Sequence, residues 1–180
     1  MSTVTYAILG VGNILEKDDG FAVYTTVFLE KNYTFEPAID LINGGVEGIN
    51  LLNHFLEYQS ILILDTIEID DAPGSIYHIP SSELTGYGLN SGGAHEIGVI
   101  QCLDILEMID KPQPHSSVLG IIPKEITLHI GLSDTLIQKF QRYIETVITI
   151  LEKEHIKVTT NTKMTSLQEI IKEFNAPQRN

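Results

Sequence analysis

The chain alternates between two spacings of apolar residues. Val4–Leu9, Pro37–Ile42 and Ser116–Ile122 are short apolar runs, the length of strands. Ser60–Ile67 is nearly continuous, as in a strand covered on both faces of a parallel sheet. Helical spacing takes over in Phe21–Leu29, in Gly48–Tyr58 (Ile49, Leu51, Leu52, Phe55, Leu56) and in Glu96–Ile109 (Ile97, Ile100, Leu103, Ile105, Leu106). The longest helix is predicted over Ser133–Lys153, with Ser133 as its N-cap. Leu136, Phe140, Tyr143, Ile144, Val147 and Leu151 form its buried stripe.

Turn chemistry orders these elements. Asp70-Asp-Ala-Pro-Gly74 predicts a turn, after which Ser75–Ile79 returns as a short antiparallel edge strand. Pro80–Ala94 is polar and glycine-rich, and is expected to be a long mobile loop. From His155 onward the chain is polar, with a weakly amphipathic stretch at Leu167–Phe174, and is expected to be partly ordered at most. Strands alternating with helices predict a three-layer α/β fold. Its twisted, mostly parallel sheet has about five strands, one of them an antiparallel edge, with helices on both faces. The expected organisation is one α/β domain over residues 1–154 and a polar tail with a possible short helix over 155–180.

Composition narrows the function classes. With 43% hydrophobic and 19% charged residues, the 180-residue chain has the balance of a compact globular protein. A formal net charge of -13 argues against nucleic acid and anionic membrane as partners. A single cysteine, Cys102, allows no internal disulfide. Val4–Leu9 breaks at Gly10 without a basic segment ahead of it, and no apolar stretch reaches 18 residues, so no signal peptide or membrane span is expected. A soluble cytoplasmic chain is the expectation.

Candidate chemistry begins after the first strand. The chain turns through Gly10, Gly12 and Asn13 and reaches Glu16, Asp18 and Asp19 where a helix should start. One of the adjacent aspartates suits a cap on that helix; the excess acid suits a cation. A dinucleotide site is disfavoured, because Leu15 stands where a third glycine belongs and Asn43 rather than an acid closes the second strand. Acids at the helix start would also repel phosphate.

The carboxyl edge of a parallel sheet collects residues far apart in sequence. Asp19 follows the first strand, Asp65 ends the third, and His95 opens the helix after the glycine-rich loop. Two carboxylates and an imidazole suit a divalent ion with positions open for water or substrate. Alternatively, Asp65 is a cap or turn residue and His95 is an N-terminal helix residue bonded locally. His54, His78 and His155 read as structural or solvated, His115 lies in a Pro-rich loop, and His129 either contacts substrate or stitches its loop to the core. Cys102 falls mid-helix on a packed face and no GxSxG elbow occurs, so neither a thiol nor a serine nucleophile is expected.

The assembled pattern resembles the nickel–iron hydrogenase maturation endopeptidases. Gly10-Val-Gly-Asn-Ile-Leu-Glu-Lys-Asp-Asp-Gly20 is similar to that family's G-x-G-N-x-x-x-x-D-[DE]-G. Asn43-Gly-Gly-Val-Glu-Gly48, Leu62-Ile-Leu-Asp65, Ala72-Pro-Gly74, Ala94-His-Glu-Ile-Gly98, and Gly120-Ile-Ile-Pro123 with Leu128-His-Ile-Gly-Leu132 follow in register. The resemblance covers residues 4 to about 152. It implies metal contacts at Asp19, Asp65 and His95, the trio that topology also suggests. It further implies an endopeptidase that removes a C-terminal extension from the hydrogenase large-subunit precursor. The nickel inserted into that precursor would be the mark recognised, and the free enzyme would be empty or hold an adventitious divalent ion such as cadmium or zinc. A monomer is expected. Asn43 stands where the family has aspartate and Val46 where it has threonine. That departure keeps a second reading open, a non-catalytic metal-sensing partner of the precursor.

Overall fold

A computed structural model describes residues 5–45, 51–87 and 94–176, without the side chains of residues 85–87 and 94–97. The apolar runs form strands because each has two faces to bury. In β1 (Tyr6–Val11), Ile8 packs into one cluster while Leu9 and Val11 pack into the other. Helix α1 (Phe21–Asn32) follows, then β2 (Tyr33–Glu36), β3 (Asp40–Gly45), α2 (Leu52–Glu57) and β4 (Ser60–Thr66). In β4, Leu62 and Leu64 enter the first cluster, and Ile61 and Ile63 the second. Period-two alternation with both faces covered produces the unbroken apolar run.

The chain continues through β5 (Ile76–Pro80), α3 (Ala94–Met108), β6 (His115–Ile121), α4 (Asp134–Lys153), β7 (Lys157–Thr160) and α5 (Leu167–Asn175). The main sheet has five strands in the order β3-β1-β4-β6-β5. The first four are parallel, and β5 runs antiparallel on β6, pairing Ile76 with Ile121. The three-layer α/β expectation therefore holds. Residues of α1, α4 and α5 fill one cluster, and residues of α2 and α3 the other.

Helix α4 follows its sequence signals closely. The Ser133 hydroxyl accepts from the Leu136 N–H, and the six stripe residues are all buried. Helix α1 lies close against β1, since a Cβ on Gly10 would come within 2.1 Å of Thr26 Oγ1 and 2.8 Å of the Ala22 carbonyl oxygen. Gly10 thus sets how near the loop between them sits to the sheet.

Three expectations differ. Neither Asp18 nor Asp19 caps α1: its N-cap is Gly20, without a side-chain bond. Residues 17–20 instead form their own 3-10 turn, which aims both carboxylates away from the helix end. Ser81–Tyr87, expected to be mobile loop, is 3-10 helix, while residues 88–93 of that loop lie outside the described residues.

The third difference is the segment after α4, which is folded onto the body rather than partly ordered. β7 pairs antiparallel with β2, Tyr33 opposite Thr160 and Glu36 opposite Lys157. The buried Asn32 carboxamide donates to Thr165 O at 2.9 Å and accepts from the Thr165 N–H at 2.6 Å. Ile156, Leu167 and Ile170 are buried in the first cluster, and Phe174 meets Tyr24 edge-on at 5.4 Å. A mostly polar stretch with few apolar residues folds because those few land on an existing core.

Candidate active site

The site is built from two loops and one strand end at the carboxyl edge of the sheet. After β1 the backbone passes Gly12 at φ +151°, where a Cβ would come within 2.0 Å of the Asp19 carbonyl oxygen. Only glycine fits that turn, and the turn brings Asp18 and Asp19 back over the end of β1.

Asp18 and Asp19 have different surroundings. Asp18 is fully buried. Its Oδ2 accepts from the Lys124 and Glu125 N–H groups, both at 3.0 Å, and from the Ser133 hydroxyl at 2.8 Å. Its Oδ1 accepts from the Ser133 N–H at 2.7 Å. A buried carboxylate is tolerable when donors surround it, and four donors satisfy this one within the fold. Asp18 is a clasp that holds the 124–133 loop and the start of α4 to the first loop. Around it, the Lys17 N–H donates to His129 O at 2.8 Å, and the His129 N–H donates to Leu15 O at 2.9 Å. Lys17 Nζ reaches Glu125 at 2.5 Å, and this contact holds the Glu125 carboxyl below its ordinary range.

Asp19, 7% exposed, faces the sheet. Its Oδ2 accepts from the Asn13 N–H at 2.9 Å, and its Oδ1 from the Thr66 hydroxyl at 3.0 Å. Thr66 is the residue after Asp65, so this bond ties the first loop to the end of β4. Asp65, 2% exposed, accepts from the Thr66 N–H at 2.8 Å. Its charge is felt by Tyr143, whose buried hydroxyl donates to Leu119 O at 2.5 Å. Burial first, and then the Asp65 charge, raise the Tyr143 pKa well above the ordinary value, so the phenol stays neutral.

Of the three predicted site residues, the structure brings Asp19 and the Asp65–Thr66 strand end together. The His95 backbone lies in the first turn of α3, and its side chain is outside the described residues. Among the described residues no group of three acidic, histidine or cysteine side chains gathers around a common point. The fit to a divalent ion therefore rests on donor type: two buried carboxylates held in place by N–H and O–H donors.

Thr66 was missed by sequence reasoning, because a threonine at a strand end carries no distinguishing signal. The clasp role of Asp18 was missed because its partners lie more than 100 residues away. Asn43, by contrast, keeps its turn: its Oδ1 accepts from the Gly45 N–H at 3.2 Å. An aspartate would offer the same acceptor, so the turn does not depend on the acid.

The remaining candidates are peripheral to this edge. The exposed His129 ties its loop through its backbone to Leu15 and Lys17 of the first loop rather than to the core. The exposed His78 ring lies 2.8 Å from Ser117 Oγ on the edge strand. Cys102 is buried, and burial pushes its thiol up to about 11, which leaves it protonated and non-nucleophilic.

This α/β architecture is that of known maturation endopeptidases. The hydrogenase maturating endopeptidase HybD from E. coli superposes with a TM-score of 0.81 over 88% of this chain and 99% of its own, at 24% identity. The [NiFe] hydrogenase maturation protease HybD from Thermococcus kodakarensis gives 0.64 over 82% of this chain and 99% of its own, at 27% identity. The Hydrogenase 2 maturation protease of Escherichia coli K12 is 26% identical over 151 residues, covering 83% of this chain and 92% of that protein. The hydrogenase expression/formation protein HoxM of Azotobacter vinelandii is 26% identical over 127 residues, and the match covers 61% of its length. The family model described as HycI, hydrogenase maturation protease, matches residues 23–152. The chain belongs to the hydrogenase maturation protease family, and it is a peptidase.

Proposed function

We propose that this peptidase removes a C-terminal extension from the nickel–iron hydrogenase large-subunit precursor after nickel insertion, and that Asp19, Asp65 and His95 form its site. The observation that carries this reading is the Thr66 bond to Asp19, which locks the first acidic loop onto the strand that ends in Asp65. Nickel arrives within the precursor, as part of the substrate. By donor chemistry the three side chains suit that ion, and in the free chain they suit a divalent ion such as zinc or cadmium.

Capture of nickel by these residues fixes the adjoining peptide bond at the carboxyl edge of the sheet. The ion's charge favours build-up of negative charge on the scissile carbonyl oxygen. A carboxylate of the pair, Asp65 or Asp19, accepts the proton of the attacking water and passes it to the leaving amine. The neutral Tyr143 phenol is committed to Leu119 and takes no proton.

The test incubates the purified chain with nickel-loaded and nickel-free precursor and reads product masses. Loss of a C-terminal peptide from the loaded precursor alone is the expected result. Alanine at Asp19, Asp65 or His95 is expected to lower cleavage by about a hundredfold or more with the fold retained. Equal cleavage with and without nickel removes the recognition rule, and full activity in the alanine variants removes the residue assignment.

A further inference from the structure

We propose that Thr66 is a positioning residue of the peptidase site, which fixes Asp19 and Asp65 relative to one another before the metal of the substrate arrives. The proposal rests on the peptidase reading above and deepens it. One residue serves both acids. The Thr66 hydroxyl donates to Asp19 Oδ1 at 3.0 Å, and the Thr66 N–H donates to Asp65 Oδ1 at 2.8 Å. Like the two acids, Thr66 is buried.

The two acids need such a bridge because they reach the sheet edge from opposite faces. Successive residues of a strand point to opposite sides of the sheet. In β4, Ile61 and Ile63 enter the cluster filled by α2 and α3, while Leu62 and Leu64 enter the cluster filled by α1, α4 and α5. Continued to the strand end, this alternation sends Asp65 toward the α2 and α3 side and Thr66 toward the α1 side. Asp19 belongs to the 3-10 turn that leads into α1. The Thr66 hydroxyl therefore meets Asp19 on its own face, while the Thr66 backbone holds the Asp65 carboxylate back against the strand end.

The way this hydroxyl is used sets Thr66 apart. Buried Thr25 and Thr26 donate locally, to Phe21 O at 2.9 Å and Ala22 O at 2.8 Å, four residues back in their own helix. Thr66 donates instead to a carboxylate 47 residues away. Valine, with the same branched shape and no polar atom, would suit a buried strand end at least as well, so the hydroxyl serves the acid rather than the strand. The branched Cβ restricts the side-chain rotamers and keeps the hydroxyl aimed. Asp19 Oδ2 accepts from the Asn13 N–H at 2.9 Å, so each oxygen of that carboxylate has a fixed donor and its plane is set. Outer donors of this kind orient a metal-binding carboxylate, and losing one typically costs about ten- to a hundredfold in metal affinity or activity.

The test compares the full chain with Thr66→Val, Thr66→Cys and Thr66→Ser in three measurements: kcat on nickel-loaded precursor, affinity of the free chain for cadmium ion by calorimetry, and Tm. Valine replaces the hydroxyl by a methyl group, cysteine offers a weaker donor, and serine keeps the hydroxyl while losing the methyl. Thr66→Val is expected to lower kcat and cadmium affinity about tenfold or more, Thr66→Cys to lower both by less, and Thr66→Ser to restore most of each. A hydroxyl with a structural duty alone would leave both quantities unchanged in the folded variants, or make them follow Tm; either result overturns the proposal. If Thr66→Val does not fold, the cysteine and serine variants make the same comparison. Cleavage by the unaltered chain judges the peptidase reading separately. A chain that cuts nothing yet binds cadmium in the order Thr, Ser, Cys, Val removes that reading and keeps the role of Thr66. A chain that neither cuts the precursor nor binds cadmium overturns both.

Discussion

Asp18 and Asp19 share chemistry and differ in duty because one 3-10 turn rotates them to opposite partners. Asp18 spends both oxygens on four donors from 106 to 115 residues away, whereas Asp19 meets the strand end that carries Asp65. Removing the Asp18 carboxylate leaves three backbone N–H groups and one hydroxyl without their acceptor, the two of Ser133 buried. Asp18→Ala is therefore expected to cost about 3 kcal/mol or more, lowering Tm by roughly 10 °C. Thermal unfolding followed by circular dichroism checks this, and a loss under about 1 kcal/mol would show that the clasp is not structural. At this scale the sequence was informative about residue type and blind to partner. It showed surplus acid at one turn, yet the division of labour depends on Ser133 and Thr66, whose approach comes only with the fold.

Strands β1, β4 and β6 and helix α4 were legible because burial imposes a pattern. Two covered faces demand an unbroken apolar run, and one covered face of a long helix demands a stripe. The β2–β7 ribbon was not legible, since Tyr33–Glu36 and Lys157–Thr160 are four-residue strands that bury little. For α5 the amphipathic pattern was seen but its docking was not, because it packs on α1, which is distant in sequence. Its start signal was present as well. Ser166-Leu-Gln-Glu169 is a capping box, with the Ser166 N–H donating to Glu169 Oε2 at 2.7 Å and the Glu169 N–H to Ser166 Oγ at 3.2 Å. These bonds hold the Glu169 pKa below its ordinary 4.5. A folded pKa that is depressed supplies stability in full above the unfolded value and loses it as pH falls through the folded one. Amide protection across α5 is thus expected to hold from neutral pH down to about 4.5 and to decline below it. Glu169→Gln should flatten that decline; hydrogen exchange followed by NMR reads it, and an unaltered pH profile in Glu169→Gln would refute the role of the box.

At the scale of the molecule, the closing segment completes the core on the face that carries α1 and α4. Ile156, Leu167 and Ile170 together bury on the order of 5 kcal/mol of apolar side chain, comparable to the whole stability of a typical domain. A chain cut after Glu154 is expected to unfold at much lower temperature or to aggregate. Differential scanning calorimetry decides it, and a Tm within a few degrees of the full chain would make the segment an accessory. The clasp carries a further consequence for the order of events during synthesis. Ser133 supplies two of the four donors to Asp18 and stands 115 residues downstream of it. While the ribosome is still making the first two-thirds of the chain, the acidic turn has nothing to close against. The first acidic loop is tied to the body through Asp18 only once the start of α4 has been made, so the clasp is among the last contacts a growing chain can form.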